Sequence, residues 1–246
     1  DVCSSDLSDA NPALKALVSY LENNNVQSLG EGLAIVNKHS AENVPEMSNG
    51  KLHPAYLVQL ISKHLPENAI IMGDAGMHML WLSGYLNLNK NQVYQNPGSF
   101  GPMASHVNGS IGVACANPNR PVICGCGDGD YLMAGFELLT CVKNHIPTIH
   151  IIFNNSEFNV IKKFLLNNWG EQAFMDIKNP DYVKYAEACG AKGWQVKNGA
   201  EFEAAFAEAL KEQAKTIPAK IGNCLSVNPD DAGKLYEILH RFMDAM

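Results

Sequence analysis

Two short apolar runs, Pro121–Cys126 (PVICGC) and Pro147–Phe153 (PTIHIIF), constrain the fold more than any other part of the chain. Each begins at a proline, is rich in β-branched residues and carries no Lys, Arg, Asp or Glu. A parallel strand buried on both faces reads this way. Between them, Tyr131–Lys143 has its apolar residues at helical spacing. The first run leads into Gly127-Asp128-Gly129 and the second into Asn154-Asn155. Two oxygen-bearing side chains are thus expected at the carboxyl ends of neighbouring parallel strands, where open α/β sheets bind ligands.

The remaining segments continue the alternation. Strands are predicted at Ala69–Met72, Val93–Gln95, Gly193–Val196 and Pro218–Val227. Helices are predicted at Ala55–His64, His78–Leu86, Ser105–Ala116, Pro180–Cys189, Ala200–Gln213 and Asp230–Met246. This order implies an α/β fold with a doubly wound, mostly parallel sheet and helices on both faces. Ser8–Asn25 contains one more helical stretch, and Asn23–Gly50, rich in Asn, Gly and Ser, reads as a loosely structured connection. Asp1–Leu7 (DVCSSDL) matches the in-frame translation of a common short-read sequencing adapter and is set apart as a scar, the alternative being an ordinary disordered amino terminus; on the scar reading the natural protein is expected to extend upstream.

At 246 residues the chain can bury one substantial core. A net charge of −7 argues against nucleic acid or an anionic membrane as partner. No apolar run approaches the ~20 residues of a membrane span. The seven cysteines, among them Cys115, Cys124, Cys126, Cys141 and Cys189, read as reduced core residues of a cytoplasmic protein. Cys124-x-Cys126 lacks the usual zinc spacing.

Asp128 and Asn155 are hard oxygen donors suited to Mg²⁺ or Ca²⁺. Gly127 and Gly129 permit a sharp turn and close approach of the backbone to a ligand. Helix starts follow both this loop and the Phe100–Met103 loop, and helix amino termini favour anions. Together these describe a metal–phosphate site; the alternative is two unrelated turns capped by Asp and Asn.

Gly-Asp-Gly, 24 intervening residues and Asn-Asn resembles the signature of the thiamine-diphosphate-dependent enzymes. "MGDAGMHMLWLSGYL" (Met72–Leu86) is similar to that family's D-x-G-x-H-x-x-W segment, and "GSFGPMAS" to its G-x-M loop. "ANPNRPVICGCGDGDYLM" and "YVKYAEACGAKGWQV" (Tyr182–Val196) extend the likeness, which is greatest to acetolactate synthase and pyruvate oxidase. The resemblance implies that Asp128 and Asn155 bind Mg²⁺ by side chain and Glu157 by its backbone carbonyl. It implies that Gly129 and Asp130 give N–H groups to the diphosphate, with Gly76, Met77 and His78 on its other side. The Gly101 carbonyl would accept from the aminopyrimidine, and Met103 would wedge between the two cofactor rings.

Several positions depart from the family pattern. Asp130 stands where relatives often carry Ser, Ala or Gly, and a carboxylate near a diphosphate is unfavourable unless it points away. Met77 replaces a polar Gln, and Glu157-Phe158-Asn159 replaces a glycine-bearing turn. Glu137 reads as structural, His78 as a phosphate neighbour and His106 as a helix-start residue. Simple 2-oxo-acid decarboxylases carry a proton-donating Glu near the place of Ile161, where this chain has an apolar side chain. That favours acetolactate synthase, with pyruvate oxidase or a quinone-dependent pyruvate dehydrogenase, one subunit of a split 2-oxo-acid decarboxylase, and a cofactor-binding module without turnover as alternatives.

By the same resemblance, residues 8–50 are the tail of a central domain plus linker, and 51–246 are the diphosphate-binding domain. The activating Glu is expected on a pyrimidine-binding domain of the same or a partner chain, so no catalytic residue is assigned here and the chain alone is expected to be inactive. The full-length form is expected to act on a 2-oxo acid, as a homodimer or homotetramer, with FAD as a conditional third cofactor.

Overall fold

A computed structural model of the chain describes residues 43–98 and 100–215, the backbone of 223–227, and Lys15, Ala16, Val18, Ser19, Tyr20 and Asn23. Those six are helical and belong to one compact unit, Asp1–Lys38; the others belong to a second, His39–Met246. The helix expected at Asp230–Met246, the opening of the Pro218–Val227 strand and most of the segment before residue 43 lie outside the described residues.

The second unit begins with a hairpin, β1 (Met47–Ser48) against β2 (Lys51–Leu52). Its turn residues Asn49 and Gly50 have φ of 50° and 78°. Asn-Gly takes two consecutive left-handed conformations at low cost, which is what a two-residue hairpin loop requires. The loose connection expected from composition gives way here to an ordered turn.

Six parallel strands follow: β3 (Ile70–Gly73), β4 (Val93–Gln95), β5 (Val122–Gly127), β6 (Thr148–Phe153), β7 (Lys192–Val196) and β8 (Asn223–Val227). They lie in the order β4-β3-β5-β6-β8-β7. Every residue of β5 and β6 is buried, as the two apolar runs predict. Alternate strand residues feed two cores. Ile71, Ile123, Ile149 and Ile151 pack with α1 (Pro54–His64), α2 (Met77–Tyr85) and α8 (Gly199–Lys215). Ile70, Met72, Val122, Cys124 and Cys126 pack with α3 (Ser105–Ala116), α4 (Asp128–Ala134), α5 (Leu138–Asn144) and α7 (Tyr182–Ala188). This two-sided burial at a period of two is the doubly wound arrangement expected.

Three local readings change. The helix expected over Tyr131–Lys143 starts at Asp128 and breaks into a 3₁₀ turn at Gly135–Glu137 before α5. The break falls where a Cβ on Gly135 would come 2.7 Å from the Tyr131 ring. A further helix, α6 (Asn159–Trp169), follows the Asn-Asn loop; its apolar residues are exposed rather than buried, so it lacks the buried face that marks a core helix. Cys124, Cys126 and Cys141 are buried free thiols, but Cys115 lies on the exposed side of α3. Burial pushes the Cys141 thiol up to about 11.

Candidate functional site

The carboxyl ends of β3, β5 and β6 open into a cavity of about 320 Å³. All eleven residues singled out by sequence line it. Gly76, Met77 and His78 come from the start of α2, and Gly101 and Met103 from the loop before α3. Gly127, Asp128, Gly129 and Asp130 come from the β5–α4 junction, and Asn155 and Glu157 from the loop after β6. Ile161, on the first turn of α6, lines the opposite wall with Phe158 and Val160. His106 lies outside the cavity lining, as the second residue of α3. Glu137 is exposed and accepts from Thr140 Oγ1 at 2.6 Å, away from the site.

Asp128 is 2% exposed and is fixed from three sides. Its Oδ1 accepts from the Gly129 N–H at 3.0 Å, and its Oδ2 from the Ser156 N–H at 2.7 Å and Asn179 Nδ2 at 2.6 Å. Ser156 holds a left-handed φ of 61°, and its carbonyl accepts from the Ile177 N–H at 2.8 Å. Such a conformation costs a serine about 1–3 kcal/mol, and here it aims an amide at the buried carboxylate. Asn179 also donates to Asn154 Oδ1 at 2.9 Å. Burial drives the Asp128 carboxyl above its ordinary range, and the Asn179, Ser156 and Gly129 donors pull it back.

Two more buried carboxyls lie beside it. Asp74, from the end of β3, is fully buried; its Oδ2 accepts from the His106 and Val107 N–H groups at 2.9 and 2.8 Å. It thereby caps α3, whose own N-cap residue, Ala104, has no side-chain acceptor. Asp130 Oδ2 accepts from the Gly127 N–H at 2.8 Å and lies 3.2 Å from His78 Nε2. Burial, then the Asp74 and Asp128 charges, push the Asp130 carboxyl up to about 8. The burial that raises it favours the protonated form, and the carboxyl is turned back under the start of α4. Burial holds His78 down to about 3, so its ring is neutral.

The glycines divide in role. A Cβ on Gly76 would come 2.5 Å from the His78 ring, and one on Gly127 3.1 Å from the ring and from Asp130 Oδ2. The room at these two positions is therefore taken by protein. A Cβ on Gly129 would come 2.7 Å from Phe158 and 3.2 Å from Met103 Cε, two side chains on the cavity. Gly101 has a left-handed φ of 57°, a conformation glycine adopts without strain.

The donor set fits a small hard cation. An ionised carboxylate has about four acceptor positions, and the three N–H donors leave one, on Asp128 Oδ1. Asn155 Oδ1 accepts from the Glu157 N–H at 3.3 Å, and the Glu157 carbonyl from the Asn159 N–H at 3.0 Å. One lone pair therefore remains on each of three oxygens. The Glu157 carboxylate is turned aside into an ion pair with Lys162. Among the described residues no cluster of three or more His, Cys, Asp or Glu is placed to hold a metal.

The family model for the thiamine pyrophosphate enzyme C-terminal TPP-binding domain matches residues 74–219. The chain is 30% identical over 173 residues to a putative thiamine pyrophosphate-containing protein, YdaP, of Bacillus subtilis (strain 168), covering 70% of this chain and 30% of that protein. It is 24% identical over 180 residues to acetolactate synthase of the same organism, covering 73% of this chain and 32% of that one. Among solved structures, the thiamine diphosphate-dependent 4-hydroxybenzoylformate decarboxylase of Rhodococcus jostii RHA1 superposes with a TM-score of 0.68 at 25% identity, covering 78% of this chain and 35% of that one. The chain spans about a third of the length of these relatives.

Proposed function

The chain belongs to the thiamine pyrophosphate enzymes as their C-terminal TPP-binding domain, and from that premise we propose that its cavity holds the cofactor's diphosphate through Mg²⁺ in an enzyme acting on pyruvate or a related 2-oxo acid. The observation that carries this reading is the set of three oxygens with one open lone pair each, Asp128 Oδ1, Asn155 Oδ1 and the Glu157 carbonyl, on the wall of one cavity. Water and diphosphate oxygens would complete the octahedron that Mg²⁺ demands. Gly129 would set no side chain of its own against the diphosphate, with Phe158 and Met103 closing on it from the cavity. His78, held neutral by burial, and Asp130, whose protonated form burial favours, would limit the charge beside the phosphates. Gly101 and Met103 would face the aminopyrimidine and the junction of the two rings.

Thiamine diphosphate supplies a carbon nucleophile for the 2-oxo group; the chain's own side chains then decide which proton or partner reaches the reacting carbon. Ile161 faces the cavity and has no proton to give. This supports carboligation of the acetolactate synthase type over simple decarboxylation to an aldehyde. A pyrimidine-binding domain, on the same or a partner chain, would bring the activating carboxylate. The test is Ile161→Glu in a form carrying that domain, with products from pyruvate analysed. Aldehyde release should rise relative to carboligation by about 10-fold, a fraction of the ~10²–10⁴-fold that a fully positioned general acid contributes. An unchanged product ratio would contradict the role given to this wall.

A further inference from the structure

We infer that Asn179 is a positioning residue that holds Asp128 as a one-oxygen ligand, and that this sets the site's preference for Mg²⁺ over larger divalent cations. The inference rests on the proposed Mg²⁺ role of Asp128. Asn179 lies on the segment between α6 and α7, 51 positions along the chain from Asp128. Its Nδ2 donates to Asp128 Oδ2 at 2.6 Å and to Asn154 Oδ1 at 2.9 Å, with Ser156 Oγ at 3.3 Å. Its Oδ1 accepts from the Tyr182 hydroxyl at 2.9 Å, which fixes the amide's orientation. One side chain thus ties the loop after β5 to the loop after β6.

The consequence lies in lone pairs. The Asn179 amide and the Ser156 N–H together occupy both acceptor positions of Asp128 Oδ2. Only Oδ1 has a position left, so the carboxylate offers a cation a single oxygen. Mg²⁺ requires a tight octahedron and accepts monodentate carboxylates, whereas Ca²⁺ takes more oxygens at longer distances and readily uses both oxygens of one carboxylate. Removing the Asn179 amide returns an acceptor position to Oδ2 and makes the two-oxygen mode available.

The experiment titrates Mg²⁺ and Ca²⁺ separately into the 246-residue chain with thiamine diphosphate present, reading affinity by calorimetry. Asn179→Ala should lower the Mg²⁺-to-Ca²⁺ affinity ratio by about 10-fold, the lower range for loss of a group that orients a metal ligand. Tyr182→Phe, which removes the hydroxyl that donates to Asn179 Oδ1 at 2.9 Å and lies 3.3 Å from the Asp128 carbonyl, should shift the ratio the same way by a smaller factor, and it decides the matter if Asn179→Ala does not fold. Equal losses for both cations, with the ratio unchanged, would mean a purely structural role and overturn the inference. Asp128→Ala is the control: metal-dependent binding that survives it removes the Mg²⁺ assignment itself, and this inference with it.

Discussion

At the α4 end of the cavity, Asp74, Asp128 and Asp130 are each at most 2% exposed, and each accepts at least one backbone N–H. On the facing wall, α6 has no buried residue, and Phe164 and Trp169 are 53% and 65% exposed. Burying a carboxylate without partners costs several kcal/mol, so these three persist because fixed donors or a proton compensate each of them. That compensation comes wholly from this chain, so the geometry of the polar end is set before any ligand arrives. The α6 wall is the reverse. Phe164, Leu166 and Trp169 are exposed on it, and so are Leu132, Met133, Phe136 and Leu139 on α4, the 3₁₀ turn and α5. Exposed apolar side chains grouped on one element favour association when they form a patch. One end is braced by buried hydrogen bonds; the other is exposed among the described residues.

The largest expected effect tests the open side. The chain alone should self-associate through this surface, and the double substitution Phe164→Lys with Trp169→Lys should weaken that association about 10-fold or more, read by sedimentation velocity. Because neither residue is buried, unfolding stability should change by only about 0.5 kcal/mol. Unchanged association would mean that α6 needs no cover, and the contrast between the two walls would lose its meaning.

A smaller effect tests the closed side. His150 is 1% exposed on β6, edge-on to Tyr131 at 5.7 Å, and burial holds it down to about 4. Its folded value lies below its unfolded one, so its contribution to stability is full above about pH 6.5 and is lost as pH falls towards 4. At pH 5 the loss is about 2 kcal/mol. Its ring resonances should stay fixed between pH 8 and pH 5; a midpoint near 6.5 would show that water reaches the floor beneath α4.

The parts of the site that were legible in sequence are those whose residues are near neighbours along the chain. Gly127–Asp130 and Asn154–Glu157 follow strands whose apolar runs announce them, and all eleven singled-out residues meet at one cavity. What was illegible acts across distance. Asp74 is visible as part of a motif, but its capping of α3 depends on β3 ending beside Ala104, which no local pattern encodes. Asn179 sits in a polar loop and gains its role only when that loop folds back on Ser156. The orientation of Asp130 was illegible for a similar reason: Gly127 and His78, distant from each other along the chain, hold its carboxyl aside, and burial favours its protonated form. The Asn49-Gly50 turn was legible in principle, since Asn-Gly is a strong hairpin signal, but a loop-like composition surrounds it. Helix α6 escaped because its apolar spacing serves no core among the described residues.

The central claim is that the polar end of the cavity binds the cofactor through a metal held by Asp128. Its most direct measurement is calorimetric titration of thiamine diphosphate into the chain, with and without Mg²⁺, for the unsubstituted chain and for Asp128→Ala. The account predicts binding only with Mg²⁺ and at least a ~100-fold loss in the variant, because the diphosphate charge would lose its anchored counter-ion. Equal affinity in the two proteins, or binding indifferent to Mg²⁺, would contradict it.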